Sequence, residues 1–101
     1  MLYLTQLIFL KPDGEAAFDE FEAHAIPIIA RYDGTLMLRI RPTAGTVVES
    51  GMEELPYEIH LACFPSAESF EAFKKDEERQ SFLHLKEESI RTILLIEGKA
   101  V

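Results

Sequence analysis

Two short segments of the chain alternate charged and apolar residues, which places groups that could do chemistry on one side of a strand. Arg39 and Arg41 alternate with aliphatic residues in TLMLRIRP, and Glu58 and His60 do so in YEIHLACF. Successive side chains of a β-strand point to opposite faces, so the members of each pair share a face. Arginine binds planar anions through paired hydrogen bonds, and histidine transfers protons near neutral pH.

The pairing of the two segments decides whether these groups meet. In the hairpin register that we predict, three cross-strand pairs share one face: Arg41–Glu58, Arg39–His60 and Met37–Ala62. We expect this polar face to point away from the helices, because the other face is aliphatic and needs the helices to cover it. That aliphatic face consists of Leu36, Leu38, Ile40, Ile59, Leu61 and Cys63.

Two interpretations of the polar face remain open. In the first, Arg39, Arg41 and Glu58 bind a small ligand and His60 acts as a catalytic acid or base. In the second, the charges only pair across the strands, which contributes a few tenths to about 1 kcal/mol per pair and is the commoner role. Gln6 of the first strand is predicted to join the ligand-binding group, because its amide would lack partners against the helices.

The sequence predicts no metal ion and no other cofactor. A metal site needs three or four converging ligands, whereas His24, His60 and His84 lie on different elements without short ligand spacing. Cys63 is the only cysteine and lies among apolar residues, so it is predicted to be a small core residue and not a nucleophile.

Composition limits the classes of function. The 101 residues should form a single domain, residues 1–101, and 48% hydrophobic with 28% charged residues is typical of a globular protein. A net charge of -8 without a basic stripe argues against nucleic-acid binding. The N-terminal run LIFL is too short to span a membrane and lacks the flanks of a signal peptide. With one cysteine, we expect a cytoplasmic protein without membrane partners.

The order of predicted elements is strand, helix, strand, strand, helix, strand. The four strands are YLTQLIFL, TLMLRIRP, YEIHLACF and SIRTILLIEG. We expect Asp13 to cap the first helix, Ser66 the second, and Asp76 a second piece of that helix. This order predicts an α+β, ferredoxin-like βαββαβ sandwich, with a four-stranded antiparallel sheet and both helices on one face.

The last strand raises the question of what covers the second face of the sheet. Its run from Ile93 to Ile96 is apolar on both sides, yet two helices can cover only one face. Soluble proteins rarely leave a large apolar patch exposed. We therefore expect a homodimer in which a second copy packs on the open face.

Three stretches resemble a known family: the helix that runs through Pro27 into RYDG, the junction FPSAESFEAF, and the piece DEERQSFLHL. Nearly the whole chain is similar to the domain-of-unknown-function 1330 family of the dimeric α/β-barrel superfamily. The resemblance implies a homodimer with two facing ferredoxin-like sheets. The wider superfamily includes cofactor-free monooxygenases, lactone isomerases, haem-handling enzymes and amino-acid-sensing domains, so it leaves the activity open.

Two functions follow from the residues and the resemblance. The first is a homodimeric assembly or small-molecule-binding domain that holds a small anionic or aromatic ligand between its sheets. The alternative is a cofactor-free monooxygenase- or isomerase-like enzyme, with Arg39 and Arg41 binding the substrate and His60 as acid or base. An open cavity beside His60 would favour an enzyme, whereas side chains filling that space would favour an assembly module.

Overall fold

The computed structural model describes residues 1–101, and its elements follow the predicted order. The chain forms β1 (Leu2–Leu10), α1 (Glu15–Ile29), a 3₁₀ turn (Ala30–Tyr32), β2 (Thr35–Ile40), β3 (Glu58–Phe64), α2 (Ala67–Lys74), α3 (Glu77–Ser81), α4 (Leu83–Ser89) and β4 (Ile90–Gly98). The second helical region therefore has one more break than predicted, at Phe82. No helix has both the length and the apolar character needed to cross a membrane.

The strands form one four-stranded sheet in the order β2–β3–β1–β4, and all three neighbouring pairs are antiparallel. α1 connects β1 to β2, while α2, α3 and α4 connect β3 to β4. Residues from α1 and α2 pack together with residues from β1 and β3 in one core cluster. This arrangement confirms the predicted α+β, ferredoxin-like fold.

The core between sheet and helices is centred on Phe64 of β3. Its ring centroid lies 5.3 Å from those of both Phe70 and Phe73 on α2. Leu4 of β1 and Ile28 of α1 complete the cluster. Burying a side chain of this size contributes about 1.5–3 kcal/mol, so the position of Phe64 has a strong influence on how β3 faces the helices.

The structure reverses the predicted faces of β3. Glu58 and His60 alternate in step with Phe64 and turn toward the helices, with only 0% and 6% of their surfaces exposed. Ile59 and Leu61 lie on the open face, the face of the sheet without helices. The prediction that the polar face points away from the helices is wrong, because the fit of Phe64 among the α2 rings determines the orientation of the strand.

β2 contains one residue more than the predicted register allows. Leu36 pairs with Ala62 and Leu38 with Leu61, which leaves Met37 as a β-bulge. The predicted pairing of Met37 with Ala62 is therefore wrong. The bulge also shifts the alternation of the strand, so that Leu36 lines the space under the helices while Leu38 lies on the open face.

Beyond the bulge the predicted register is confirmed as far as Ile40, where β2 ends, and the predicted cross-strand pair of Arg41 with Glu58 lies beyond the observed strand. Arg39 pairs with His60, and Ile40 pairs with Ile59 at the end of β2. Since Arg39 shares a face with His60, it also lies on the helix side. Ile40 lies on the open face, which the sequence interpretation had assigned to the charged residues.

Two of the predicted helix caps are confirmed. The hydroxyl of Ser66 accepts a hydrogen bond from the backbone N–H of Ser69 at 3.1 Å. The carboxylate of Asp76 accepts one from the backbone N–H of Arg79 at 3.0 Å, at the start of α3. Such caps typically stabilise a helix by about 1 kcal/mol.

The predicted cap of α1 is wrong. Asp13 adopts a left-handed conformation with φ of 62°, and the N-cap residue is Gly14, which offers no side chain. A Cβ at Gly14 would lie 2.7 Å from the carbonyl oxygen of Ser89. The turn before α1 therefore packs too closely against the end of α4 for any larger residue.

Candidate functional site

A cavity of about 70 Å³ lies between the sheet and the helices. Ten of its fourteen lining residues are hydrophobic, and the polar ones are Gln6, Glu22, His60 and Arg79. The volume is sufficient for several water molecules or one small organic group. A mostly apolar lining with a few polar groups is typical of small-molecule sites.

Glu58 forms the centre of the charged group beside this cavity. Arg39 Nε donates a hydrogen bond to its Oε2 at 2.9 Å, Arg41 Nε donates to its Oε1 at 2.8 Å, and His60 Nε2 also bonds to Oε2. Burial raises the pKa of Glu58, but the hydrogen bonds from His60, Arg39 and Arg41 outweigh it and lower the pKa to about 2. Glu58 is therefore ionised throughout the physiological pH range.

The ionised Glu58 fixes the tautomer of His60. A carboxylate only accepts hydrogen bonds, so the nitrogen that faces it, Nε2, must carry a hydrogen. The other ring nitrogen, Nδ1, has no hydrogen-bond partner in the protein, and His60 lines the cavity. In the neutral ring Nδ1 accepts a proton, so the pair combines a general base with a carboxylate that orients it.

Arg41 is held by groups outside the cavity. Its Nη2 donates to Asp19 Oδ1 at 2.7 Å, and its Cζ lies 4.8 Å from the ring centre of Tyr57. The hydrogen bond to Glu58 raises the pKa of Arg41, so it remains charged. Neither Arg39 nor Arg41 lines the cavity, and both contact Glu58 from the side of β2.

Glu22 of α1 faces the cavity from the opposite side and was not predicted. Only 8% of its surface is exposed. Burial is the largest influence and raises the pKa of Glu22, an effect that the nearby His60 partly offsets. An acidic residue between Phe18 and Ala25 on the apolar stripe of the helix was the available sequence signal.

Arg79 of α3 is the second lining residue that sequence reasoning missed. Its Nη1 donates to the carbonyl oxygen of Lys74 at 3.3 Å, and its buried Nε has no acceptor. Its Cζ lies 4.9 Å from the ring centre of Phe73 and 5.7 Å from that of Phe21. Burial lowers the pKa of Arg79. Sequence reasoning did not identify Arg79 because it lies in the charged run KKDEERQS, and such runs usually face solvent.

One group of residues has the ligand types for a metal ion. Atoms of Glu22, Glu58 and His60 lie within 4.8 Å of one another. However, Arg39 and Arg41 already donate to both oxygens of Glu58, and a cation would have to displace these guanidinium groups. The two positive charges next to Glu58 therefore disfavour a metal ion in this cluster.

The structure brings the predicted site residues into one region. Gln6 pairs with His60 across β1 and β3, and both line the cavity. Gln6 was predicted to lie on the face away from the helices, which is wrong, because it shares the helix side with His60. Arg39, Arg41 and Glu58 form the hydrogen-bonded group next to them. The ligand-binding and catalytic roles of these five residues remain predictions.

The remaining predicted candidates lie elsewhere. His24 stacks on Phe82 with ring centroids 3.7 Å apart, and His84 is exposed on α4. Cys63 is partly buried on the open face and not against the helices, where it was predicted. None of these three residues lines the cavity.

Solved structures share this fold. A protein of unknown function from Rhodopseudomonas palustris has a TM-score of 0.84 at 17% identity, covering 99% of this chain and 82% of its own. A putative antibiotic biosynthesis monooxygenase from Nitrosomonas europaea has a TM-score of 0.72 at 12% identity, covering 100% and 99%. An uncharacterized NIPSNAP domain protein from Burkholderia xenovorans has a TM-score of 0.69 at 11% identity, covering 100% and 95%. At these identities the similarity demonstrates the fold alone.

At the level of sequence, no curated protein matches the chain. Residues 7–99 match the family model described as "Domain of unknown function (DUF1330)". The match spans nearly the whole sequence and agrees with the resemblance identified from its motifs. The chain therefore belongs to the DUF1330 family.

Proposed function

We propose that this protein is a homodimeric small-molecule-binding protein. In its cavity, His60 transfers protons to and from small carbonyl compounds. The observation that supports the proposal is the Glu58–His60 pair at a mostly apolar cavity, with Nδ1 of His60 left without a protein partner. The cavity occupies the space that an assembly module would fill with side chains. It lies under the helices of one protomer and not between the sheets, where the ligand was first expected.

The proton-transfer step uses His60 as the catalytic base. Nδ1 accepts a proton from a carbon next to the carbonyl group of the ligand, and the electron pair of the broken C–H bond remains on the ligand as an enolate. The ionised Glu58 stabilises the positive charge that forms on His60. Return of the proton to the ligand completes an exchange or isomerisation that needs no cofactor.

The experiment is deuterium exchange of two probes, butanone and 2-oxobutyrate, in D₂O. Loss of the proton NMR signal next to the carbonyl group should be faster with the wild-type protein than with His60→Gln. His84→Gln is the matched control, since His84 is exposed and should retain the wild-type rate. If each probe exchanges as fast with His60→Gln as with the wild-type protein, the proposed activity is wrong.

A monooxygenase-like reaction is the second candidate function, because a putative monooxygenase shares the fold. Removing a proton from carbon would also prepare a substrate for attack by oxygen. Exchange rates measured in air and under argon separate the two functions. Product that gains an oxygen atom only in air supports the monooxygenase, whereas oxygen-independent exchange supports the isomerase-like activity.

The open face supports the proposed homodimer. Four aliphatic residues that the register places on this face are each 43–51% exposed: Leu38, Ile40, Leu94 and Ile96. Monomeric proteins rarely leave such a continuous apolar surface in water. A second copy of the sheet, related by a two-fold axis, offers the same apolar surface in return.

Adjacent residues of β4 provide a test of the dimer. Leu94 pairs with Leu7 on the open face, whereas Leu95 pairs with Gln6 on the helix side, and their exposures are similar at 48% and 41%. Light scattering should report a dimer for wild type and for Leu95→Asp, but a monomer for Leu94→Asp. A wild-type monomer at micromolar concentration, or equal effects of the two substitutions, would refute the interface.

We also propose that the protein works in the cytoplasm. Its only cysteine, Cys63, is free, so no disulfide within the chain requires an oxidising compartment. Fluorescence microscopy of a tagged protein in its native host tests this location.

A further inference from the structure

Arg79 differs from every other arginine in the chain. The sequence contains five arginines, and four of them have a carboxylate within 4.0 Å: Arg31, Arg39, Arg41 and Arg91. Arg79 has none, although the protein carries a net charge of -8 and acidic partners are abundant. A guanidinium group at the wall of an apolar cavity is the one that would gain most from a negative partner.

The burial of Arg79 makes this lack of a partner costly. Its Nε atom is inaccessible to solvent and has no acceptor. A buried donor without an acceptor costs about 1–3 kcal/mol, and more when the group is charged. Unsatisfied groups of this kind are rare in folded proteins and often coincide with functional sites.

The surroundings of Arg79 hold its guanidinium group in a fixed orientation. Phe73 and Phe21 lie near the group at 4.9 and 5.7 Å, and Nη1 donates to the carbonyl oxygen of Lys74. Asp76 caps the backbone N–H of Arg79. A guanidinium group packed against rings keeps N–H groups at its edge for acceptors in its plane. The group is therefore held in position at the cavity before any ligand arrives.

We propose that Arg79 binds the carboxylate of a short-chain organic acid that occupies the cavity. This inference rests on the proposed function and names its substrate class: acids with a carbonyl group or an acidic C–H bond close to the carboxylate. Because Arg79 and His60 line the same small cavity, one short molecule can contact both.

The size of the cavity favours an aliphatic acid over an aromatic one. Its volume of about 70 Å³ is roughly half that of a cavity of about 150 Å³ known to bind benzene. The charges favour a monoanion, because Arg79 is the one arginine or lysine among the lining residues and can balance one negative charge. Burial raises the pKa of Glu22, and in its protonated form Glu22 would donate a further hydrogen bond to the bound carboxylate.

The test compares butyrate with butyramide, which has nearly the same shape but no charge. Binding is followed by NMR on the backbone amide signals of two lining residues that every variant retains, Ala25 and Ala62. Wild type should bind butyrate about tenfold or more tightly than butyramide, since charge-assisted hydrogen bonds are roughly twice as strong as neutral ones. Arg79→Gln should remove this preference, and Arg31→Gln should retain it, because Arg31 is exposed and paired with Glu78.

Several outcomes would overturn the inference. If butyramide binds as tightly as butyrate, or Arg79→Gln keeps the preference, Arg79 does not bind the carboxylate. The proposed function would still stand in that case if wild type exchanges the protons of butanone faster than His60→Gln does. If neither probe binds and neither butanone nor 2-oxobutyrate exchanges, both proposals fail. Should Arg79→Gln not fold, Arg79→Lys replaces it, with a preference reduced by the loss of the planar donor arrangement.

Discussion

Replacing Glu58 by glutamine tests whether the buried carboxylate is stabilised by its three donors. The pKa of Glu58 lies at about 2 in the folded protein, compared with an ordinary value of 4.5. One pKa unit corresponds to about 1.4 kcal/mol, so ionised Glu58 stabilises the fold by about 3 kcal/mol relative to its protonated form. Glutamine resembles that protonated form, and we expect Glu58→Gln to lower the free energy of unfolding at pH 7 by about this amount.

The effect should depend on pH with a defined sign. Because the pKa of Glu58 is lower in the folded than in the unfolded state, its stabilising contribution is complete above the unfolded value. It is lost as the pH falls from about 4.5 toward about 2. The difference between wild type and Glu58→Gln should therefore be constant at neutral pH and should approach zero near pH 2.

Urea unfolding at pH 7, 4 and 2.5, at one protein concentration, measures this difference. Glu78→Gln is the control, since Glu78 also pairs with an arginine but is 48% exposed. Exposed pairs contribute about 0–1 kcal/mol, so this variant should remain close to wild type at pH 7. A cost of less than about 1 kcal/mol for Glu58→Gln at pH 7, or a difference that persists unchanged at pH 2.5, would refute the reasoning.

Two further substitutions test other parts of the core. Glu22→Gln should stabilise the protein at pH 7 but not at pH 4, because a raised pKa means that folding opposes the ionisation of Glu22. Thermal unfolding against Glu20→Gln, an exposed residue of the same helix, checks this effect, and no gain at pH 7 would contradict it. Gly34→Ala should cost about 1–3 kcal/mol in urea unfolding, because its Cβ would lie 2.6 Å from the ring of Phe64. An unchanged free energy of unfolding would contradict the close contact between Gly34 and Phe64.

The element order was predictable because its signals are local. Alternation of apolar residues identified the strands, and Ser66 and Asp76 identified two helix starts through bonds to residues close in the chain. The cap at Asp13 was not predictable, because the close contact of Gly14 with Ser89 joins distant parts of the sequence. Signals that depend on such long-range contacts are absent from the pattern of neighbouring residues.

The orientation of β3 could not be predicted for the same reason. Both faces of the strand carry apolar residues, so alternation alone gives no preference between them. The choice depends on the fit of Phe64 between Phe70 and Phe73. It also depends on whether a buried Glu58 can accept hydrogen bonds from Arg39 and Arg41. Those bonds form only when β2 pairs with β3. The grouping of Arg39, Glu58 and His60 was predictable, whereas the face on which they meet was not.

The position of β2 at the edge of the sheet explains how a buried carboxylate and a cavity can exist side by side. Arg39 and Arg41 have side chains that are 36% and 46% exposed, while that of Glu58 is completely buried. Each guanidinium group thus remains partly hydrated while it donates to Glu58, which reduces the desolvation cost of the cluster. On the opposite side His60 binds the carboxylate through Nε2 and lines the cavity, and its Nδ1 has no partner in the protein. The two arginines at the solvent-exposed edge therefore influence the apolar cavity indirectly. They keep the buried Glu58 ionised, and Glu58 in turn binds His60 at the cavity.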